Sequence, residues 1–134
     1  MKIRTRTVII TLVLLLSFSS LLPAQMNKCA ECGMMVDEKS PFSAKIVQKD
    51  MTLSFCDIGD MLIHMKTKKM RLENAQVKDF KSNEWINGAK AWYVSSAKHF
   101  TSPMGWNIAA FRNKNEAEKF GAPLDLDNAM KALK

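Results

Sequence analysis

The sequence lacks the short motifs that mark most enzymes. It has five glycines and two histidines in 134 residues, with no phosphate-binding glycine loop and no dinucleotide-binding fingerprint. No nucleophile stands beside a recognisable general base. We therefore do not expect an enzyme. A low-complexity linker is also absent, and the length suits one domain of roughly 100 to 200 residues.

Long apolar runs are missing from the chain except near its N-terminus. There, three basic residues precede an apolar run at 8–18, and Pro23-Ala24 follows. A run this short, with these flanks, is typical of an export signal rather than a membrane span. We predict a signal peptide at 1–24 and a single mature domain at 25–134 in the periplasm. A lipid anchor and stable membrane insertion after cleavage are not expected, although an uncleaved anchor is the alternative.

A strong charge of one sign is lacking as well. Removing 1–24 takes three of the 20 basic residues and none of the 13 acidic ones, which leaves 17 against 13 and a net charge of +4. This excess is too mild for a nucleic-acid-binding protein, so no nucleic acid partner is expected. We interpret the basic run from Lys66 to Arg71 as a solvated helix end, where cations complement the helix dipole.

The apolar pattern of the mature chain divides into two similar halves. Each half shows strands followed by a helix, so we predict an α+β domain, a tandem pseudo-repeat of ββα(β) units with antiparallel sheet. The half-repeats span about 28–72 and 76–134. The predicted strands are 42–48, 51–56, 76–80, 91–95 and 106–111, with a loop at 81–88 and helices starting near Asp57, Asn113 and Asp125.

Sulfur is concentrated just after the predicted signal. Cys29, Cys32 and later Cys56 are the three cysteines, and an odd number leaves at least one outside any intramolecular disulfide. A structural zinc site takes four thiolate or imidazole ligands, but there is no second Cys-x-x-Cys and no His-x-x-x-His. Cys56 with His64 or His99 would complete such a site only if the fold brought them together.

Two further chemistries compete for the Cys-x-x-Cys pair. A thioredoxin-like site needs the first cysteine at the start of a helix that follows a strand, whereas Gly33 and Val36 disfavour a helix at this point. A plain disulfide between Cys29 and Cys32 is the simplest alternative, but it leaves the many methionines unexplained.

Monovalent copper suits the remaining features, because Cu(I) prefers thiolate and thioether ligands. Met34 lies two residues after Cys32, within reach of the same ion. Met104 lies between Pro103 and Gly105 in a polar loop, where a core role is unexpected. Other methionines at strand or helix spacing are interpreted as core fillers. His99, in the same loop region as Met104, is a weaker candidate ligand.

The order of motifs along the mature chain resembles the NosL family. The motifs that carry the resemblance are Cys29-x-x-Cys32-Gly33-Met34-x-Val36, Pro41-Phe42-x-Ala44, Phe55-x-Asp57-Ile58-Gly59-Asp60-Met61, Glu84-Trp85-Ile86 with Ala91-x-Tyr93-Val94, and Pro103-Met104-Gly105 before Ile108-x-x-Phe111. No one of them is decisive, but the series of five is fairly specific.

The resemblance implies a periplasmic Cu(I) metallochaperone of two ββαβ-like halves that serves the assembly of nitrous oxide reductase. The implied partners are that copper-accepting enzyme and a membrane copper or maturation transporter. The implied metal ligands are Cys32 and Met104 first, then Cys29 and Met34. A thiol-disulfide oxidoreductase and a zinc-stabilised interaction module are the alternatives. Cys56 departs from the family pattern and is a third ligand, a neutral replacement or a free buried thiol.

Overall fold

The structure, a computed structural model, describes residues 27–134. The predicted signal peptide at 1–24 lies outside the described residues and stays a prediction, as does the domain boundary after it. Among the residues that are described, no helix is long and apolar enough to cross a membrane.

Six strands and three α-helices form within 27–134, which confirms the α+β class. The strands are β1 (Ala44–Gln48), β2 (Met51–Phe55), β3 (Ala75–Lys78), β4 (Trp85–Asn87), β5 (Trp92–Ser95) and β6 (Ile108–Phe111). The helices are α1 (Ile58–Lys68), α2 (Lys114–Ala117) and α3 (Leu126–Ala132), and short 3-10 turns occupy Leu72–Asn74 and Gly88–Lys90.

Both sheets are antiparallel, as predicted. The larger one has the strand order β2-β1-β3-β4, and β5 pairs with β6 in a separate two-stranded sheet. In the larger sheet Ala44 lies opposite both Phe55 of β2 and Val77 of β3. Strands from both predicted half-repeats therefore share one sheet, and a bond from the Phe80 N–H to the Ala110 carbonyl, 2.8 Å, links it to the other.

Two details of the prediction are wrong. The loop at 81–88 contains strand β4, because Ile86 pairs with Val77 at the sheet edge, and three residues are too few to show an alternating pattern. The helix predicted to start at Asn113 does not extend to Phe120, and the Asn113 side chain makes no capping hydrogen bond. It stops at Ala117, after which the Phe120 N–H bonds the Ala117 carbonyl in a tighter turn.

Helix α1 begins and ends as its sequence predicts. The Asp57 carboxylate accepts the Gly59 N–H at 3.0 Å as an N-cap, and Lys69 closes the helix in the left-handed conformation. Met61, Leu62 and Met65 are buried on one face of α1. The helix thereby packs against the larger sheet and presents its first turn to the N-terminal segment.

The apolar interior consists of two groups of side chains. One, here called the mixed core, includes Ile46, Phe55, Met61 and Leu62 together with Cys29 and Cys56. The other, here called the phenylalanine cluster, contains five aromatic rings that contact one another. These are Phe42, Phe80, Phe100, Phe111 and Phe120.

Candidate metal centre

The Cys-x-x-Cys segment is a tight turn held against strand β2. Cys29 forms a parallel bridge with Ser54, and the Ala30 N–H bonds the Ser54 carbonyl at 2.9 Å. The turn is closed by the Gly33 N–H on the Cys29 carbonyl at 2.9 Å, and Gly33 has φ +76°, a conformation that favours glycine. No helix begins at either cysteine, as Gly33 and Val36 predict.

The turn places Cys29 and Cys32 beside Cys56 and Asp60. Cys56 follows β2, and Asp60 lies in the first turn of α1. One ligand atom from each of the four residues lies within 4.8 Å of all the others. We call these four residues the thiol cluster. Cys32 and Cys56 are 24 residues apart in the chain. The pairing of the turn with β2 brings these two segments together.

The contacts within the thiol cluster are short. Cys32 Sγ lies 3.3 Å from Cys56 Sγ, and Cys29 Sγ donates to Asp60 Oδ2 at 3.4 Å. Cys56 Sγ donates to the same oxygen at 3.7 Å. All three cysteines are free thiols. The cluster thus offers three sulfur ligands and one carboxylate oxygen around a common point.

Burial controls the protonation of these thiols. Cys29, Cys56 and Asp60 are each 3% exposed, whereas Cys32 is half-buried. Burial raises the pKa of the Cys32 thiol, against the opposing effect of the Met34 N–H, and it also raises the pKa of the Cys56 thiol, which faces Cys32 and Cys29. The Cys32 and Cys56 thiols are therefore protonated at neutral pH.

Asp60 is a member that the sequence analysis did not assign to the site. Its carboxylate lies in the first turn of α1, where it also complements the helix dipole. The second oxygen of Asp60 accepts the Trp106 indole N–H at 2.8 Å. The spacing of Cys56 and Asp60, four residues apart across a helix start, was the signal available in the sequence.

The loop between β5 and β6, residues 96–107, is here called the Met104 loop and is bonded to the start of α1. The Ser102 hydroxyl and the Met104 N–H both donate to Asp57 Oδ2, at 2.5 Å and 2.9 Å. Trp106 lies against Gly59, where an added Cβ would be 2.0 Å from the indole. The loop is therefore tied to the start of α1 through backbone, hydroxyl and indole groups.

The predicted thioether ligands are more exposed than the thiols. Met34 is 51% exposed and Met104 is 41% exposed. The structure brings Cys29 and Cys32 together and places Met34 and Met104 on the two segments that adjoin them. That either thioether binds metal stays a prediction.

The two histidines lie outside the thiol cluster. His64 Nδ1 pairs with Glu31 Oε2 at 2.8 Å, so α1 contacts the Cys-x-x-Cys turn at a second point. The His64 ring also packs on Phe55, with centroids 5.2 Å apart. His99 is exposed and lies edge-on to Phe120 at 5.6 Å, beside the phenylalanine cluster. Neither histidine supplies a fourth ligand in this arrangement.

The fold and the site together define a small antiparallel α+β domain with a thiol-rich candidate metal centre at a helix start. The NosL family model matches residues 22–124, and the chain belongs to the NosL family. The crystal structure of the copper chaperone NosL from Shewanella denitrificans is similar at a TM-score of 0.62 and 22% sequence identity. The match covers 75% of this chain and 87% of that chain, which confirms the predicted fold. No curated protein matches the sequence.

Proposed function

We propose that this protein is a periplasmic copper chaperone that binds one Cu(I) ion at the thiol cluster and passes it to a copper enzyme, nitrous oxide reductase. The observation that carries the proposal is the convergence of three free thiols on one point. Thiolates are the ligands that Cu(I) prefers. Family membership and the copper chaperone of similar fold support the same cargo.

The ligand set follows from burial. Cys29 and Cys56 lie at the base of the site and Cys32 at its mouth, because only Cys32 is partly exposed. Each thiol releases its proton as it binds the ion. In this proposal the exposed thioethers of Met34, two residues after Cys32, and of Met104, on a loop bonded to the start of α1, take the ion in turn as it enters or leaves. A partner that supplies a further soft ligand then removes the ion stepwise without releasing it to water.

A second candidate function, a zinc-stabilised interaction module, is favoured by one observation. Asp60 gives the cluster a fourth ligand atom, and three thiolates with one carboxylate can satisfy tetrahedral zinc. This makes a zinc-stabilised module a stronger alternative than the sequence indicated. The oxidoreductase alternative gains nothing, because the Cys-x-x-Cys pair occupies a turn and not a helix start.

The experiment is an anaerobic Cu(I) titration of the reduced chain 25–134 against a competing chelator. Cys32→Ser and Cys56→Ser should each weaken binding by more than about 100-fold, since even loss of a group that only orients a ligand costs roughly 10- to 100-fold. Met104→Leu should weaken binding by less. Met51→Leu is its matched control, because Met51 is similarly exposed but belongs to β2.

The variant Asp60→Asn distinguishes a Cu(I) site from a zinc site. Cu(I) has little affinity for a carboxylate, so its binding should change less than about tenfold, while zinc binding should fall by more than about 100-fold. Asparagine keeps an oxygen that can accept the Trp106 N–H, and its amide can donate to the cysteine sulfurs, which are weak acceptors. Wild-type Cu(I) affinity in Cys32→Ser and Cys56→Ser, or unfolding by a zinc chelator, would refute the copper proposal.

A further inference from the structure

Within the thiol cluster, the sulfurs of Cys32 and Cys56 are in direct contact. Their sulfurs are 3.3 Å apart, so a disulfide of about 2.05 Å requires only a small closure. The sequence alone draws attention to Cys29 and Cys32 instead, because they form the Cys-x-x-Cys pair. In the tertiary structure, therefore, Cys32 and Cys56 are the two thiols placed to form a disulfide, although they are not the Cys-x-x-Cys pair.

The environments of the three thiols differ in a way that selects this pair. Cys29 and Cys56 are both buried and both donate to Asp60 Oδ2, but the bond from Cys29 is shorter, at 3.4 Å against 3.7 Å. Cys56 Sγ lies 3.3 Å from Cys32 Sγ. Cys32 is the only one of the three that is partly exposed, so an oxidant in solution reaches it first. Cys56 is buried directly behind it and cannot meet such an oxidant itself.

The geometry points to Cys32 and Cys56 as a thiol-disulfide exchange site for small disulfides such as glutathione disulfide, in which oxidation closes the metal site. The Cys32 thiolate attacks one sulfur of glutathione disulfide and releases one glutathione thiolate. The Cys56 thiolate then attacks the Cys32 sulfur of the mixed disulfide and releases the second. Two protein thiols become one disulfide, and their two protons and two electrons leave on two glutathione molecules.

Closure of the metal site rests on the proposed function. The disulfide removes two of the three thiolates, and Cys29 alone remains with the exposed thioethers. Oxidised protein should therefore bind Cu(I) more than about 100-fold more weakly than reduced protein. Bound Cu(I) should in turn protect Cys32 from the oxidant, because the ion occupies the attacking sulfur.

Disulfide mapping tests the pairing without copper. Reduced protein is incubated anaerobically with glutathione disulfide at pH 8.5, quenched in acid, alkylated with a maleimide and digested with trypsin. Cleavage after Lys28, Lys39, Lys49 and Lys66 leaves Cys29 and Cys32 in one peptide and Cys56 in another. The expected product is a cross-link between these two peptides, with the maleimide on Cys29.

Two variants make the mapping decisive. Cys29→Ser should form the same cross-link, whereas Cys56→Ser should accumulate glutathione on Cys32. A Cys29–Cys32 disulfide, a cross-link from Cys29 or three alkylated cysteines in the wild type would overturn the pairing. If the expected cross-link forms and Cu(I) binding is unchanged, the pairing is correct, the closure of the site is refuted, and the thiol cluster is not the copper site.

Discussion

The thiol cluster and the phenylalanine cluster are both assembled from distant parts of the chain, but they differ in what their side chains can do. The phenylalanine cluster fills space with five rings and has no polar ligand. The thiol cluster is equally buried at Cys29, Cys56 and Asp60, yet each of these groups has a hydrogen-bond partner. Burial of polar groups is costly without such partners, so these hydrogen bonds are what allow the thiol cluster to be buried, whereas the phenylalanine cluster needs none.

The second difference lies in how each region is held. The phenylalanine cluster is stabilised by ring contacts, such as the stacked pair Phe111 and Phe120 at 5.3 Å. The thiol cluster relies on directional bonds to the start of α1. Asp57 is fully buried and accepts from Gly59, Ser102 and Met104, so one carboxylate joins the helix to the Met104 loop. Variants in the two regions should accordingly separate stability from metal affinity.

The largest effect is expected from Phe111→Ala. Phe111 is completely buried among Phe80, Phe100 and Phe120, and truncating a buried phenylalanine costs about 3–5 kcal/mol of unfolding free energy. Urea denaturation followed by tryptophan fluorescence measures the loss. The Cu(I) affinity of the folded protein should stay within about twofold, since the change leaves the thiols in place.

The control is Val47→Ala. Because Val47 is exposed, this substitution should change stability by less than about 0.5 kcal/mol. A fall in affinity with Phe111→Ala would show that the two regions are coupled.

Asp57→Ala should affect both properties. It removes the α1 N-cap and leaves the Ser102 and Met104 donors without their acceptor, which should cost about 2 kcal/mol or more. The Met104 loop should loosen, so Cu(I) binding should weaken as well.

Asp125→Ala is the matched control, because Asp125 caps α3 at an exposed site. It should cost about 1 kcal/mol and leave Cu(I) binding unchanged. Unchanged Cu(I) binding in Asp57→Ala would mean that the loop makes no contribution to the site.

The smallest difference, about 1.4 kcal/mol per pH unit, is expected between the wild type and Cys56→Ser in the pH dependence of Cu(I) binding. Burial raises the pKa of the Cys32 and Cys56 thiols, so the free protein holds these protons at neutral pH and the ion must displace them. Affinity should therefore rise with pH below the thiol pKa, by about tenfold, or 1.4 kcal/mol, per pH unit for each proton released. Titrations between pH 6 and 8, corrected for the chelator at each pH, measure the slope. In Cys56→Ser the slope should fall by one proton, and an equal slope in both proteins would contradict a role for Cys56.

The sequence predicted secondary structure correctly where a segment determines its own conformation. Asp57 followed by the apolar spacing of Met61, Leu62 and Met65 predicted α1, because an N-cap and a buried face are properties of a single helix. Five of the six strands were located for the same reason. The exception, β4, depends on its neighbour β3, since a three-residue strand has no signal apart from its partner.

The candidate site was predictable only in part. Cys29 and Cys32 were identified because two thiols three residues apart form a recognisable motif. For Cys56 the sequence left open a third ligand, a neutral replacement or a free buried thiol, and it gave Asp60 no place among the metal ligands. The sequence predicts Trp106 as the first residue of a strand, but it lies before β6 and its indole N–H donates to Asp60. These three residues are related by contacts between β2, α1 and the Met104 loop, which no spacing in the sequence describes.

The sequence by itself determined which cysteines and methionines are available to a metal, the start of α1 and the α+β class, because these depend on residue type and local periodicity. It also carried the order of motifs that led to the NosL family. Only the tertiary structure decided that Cys32 meets Cys56, that Asp60 faces the thiols and that His99 lies beside Phe120. The physical reason is that pairing of the Cys29 turn with β2 sets those distances, and such pairing depends on the whole sheet and not on the residues that it brings together.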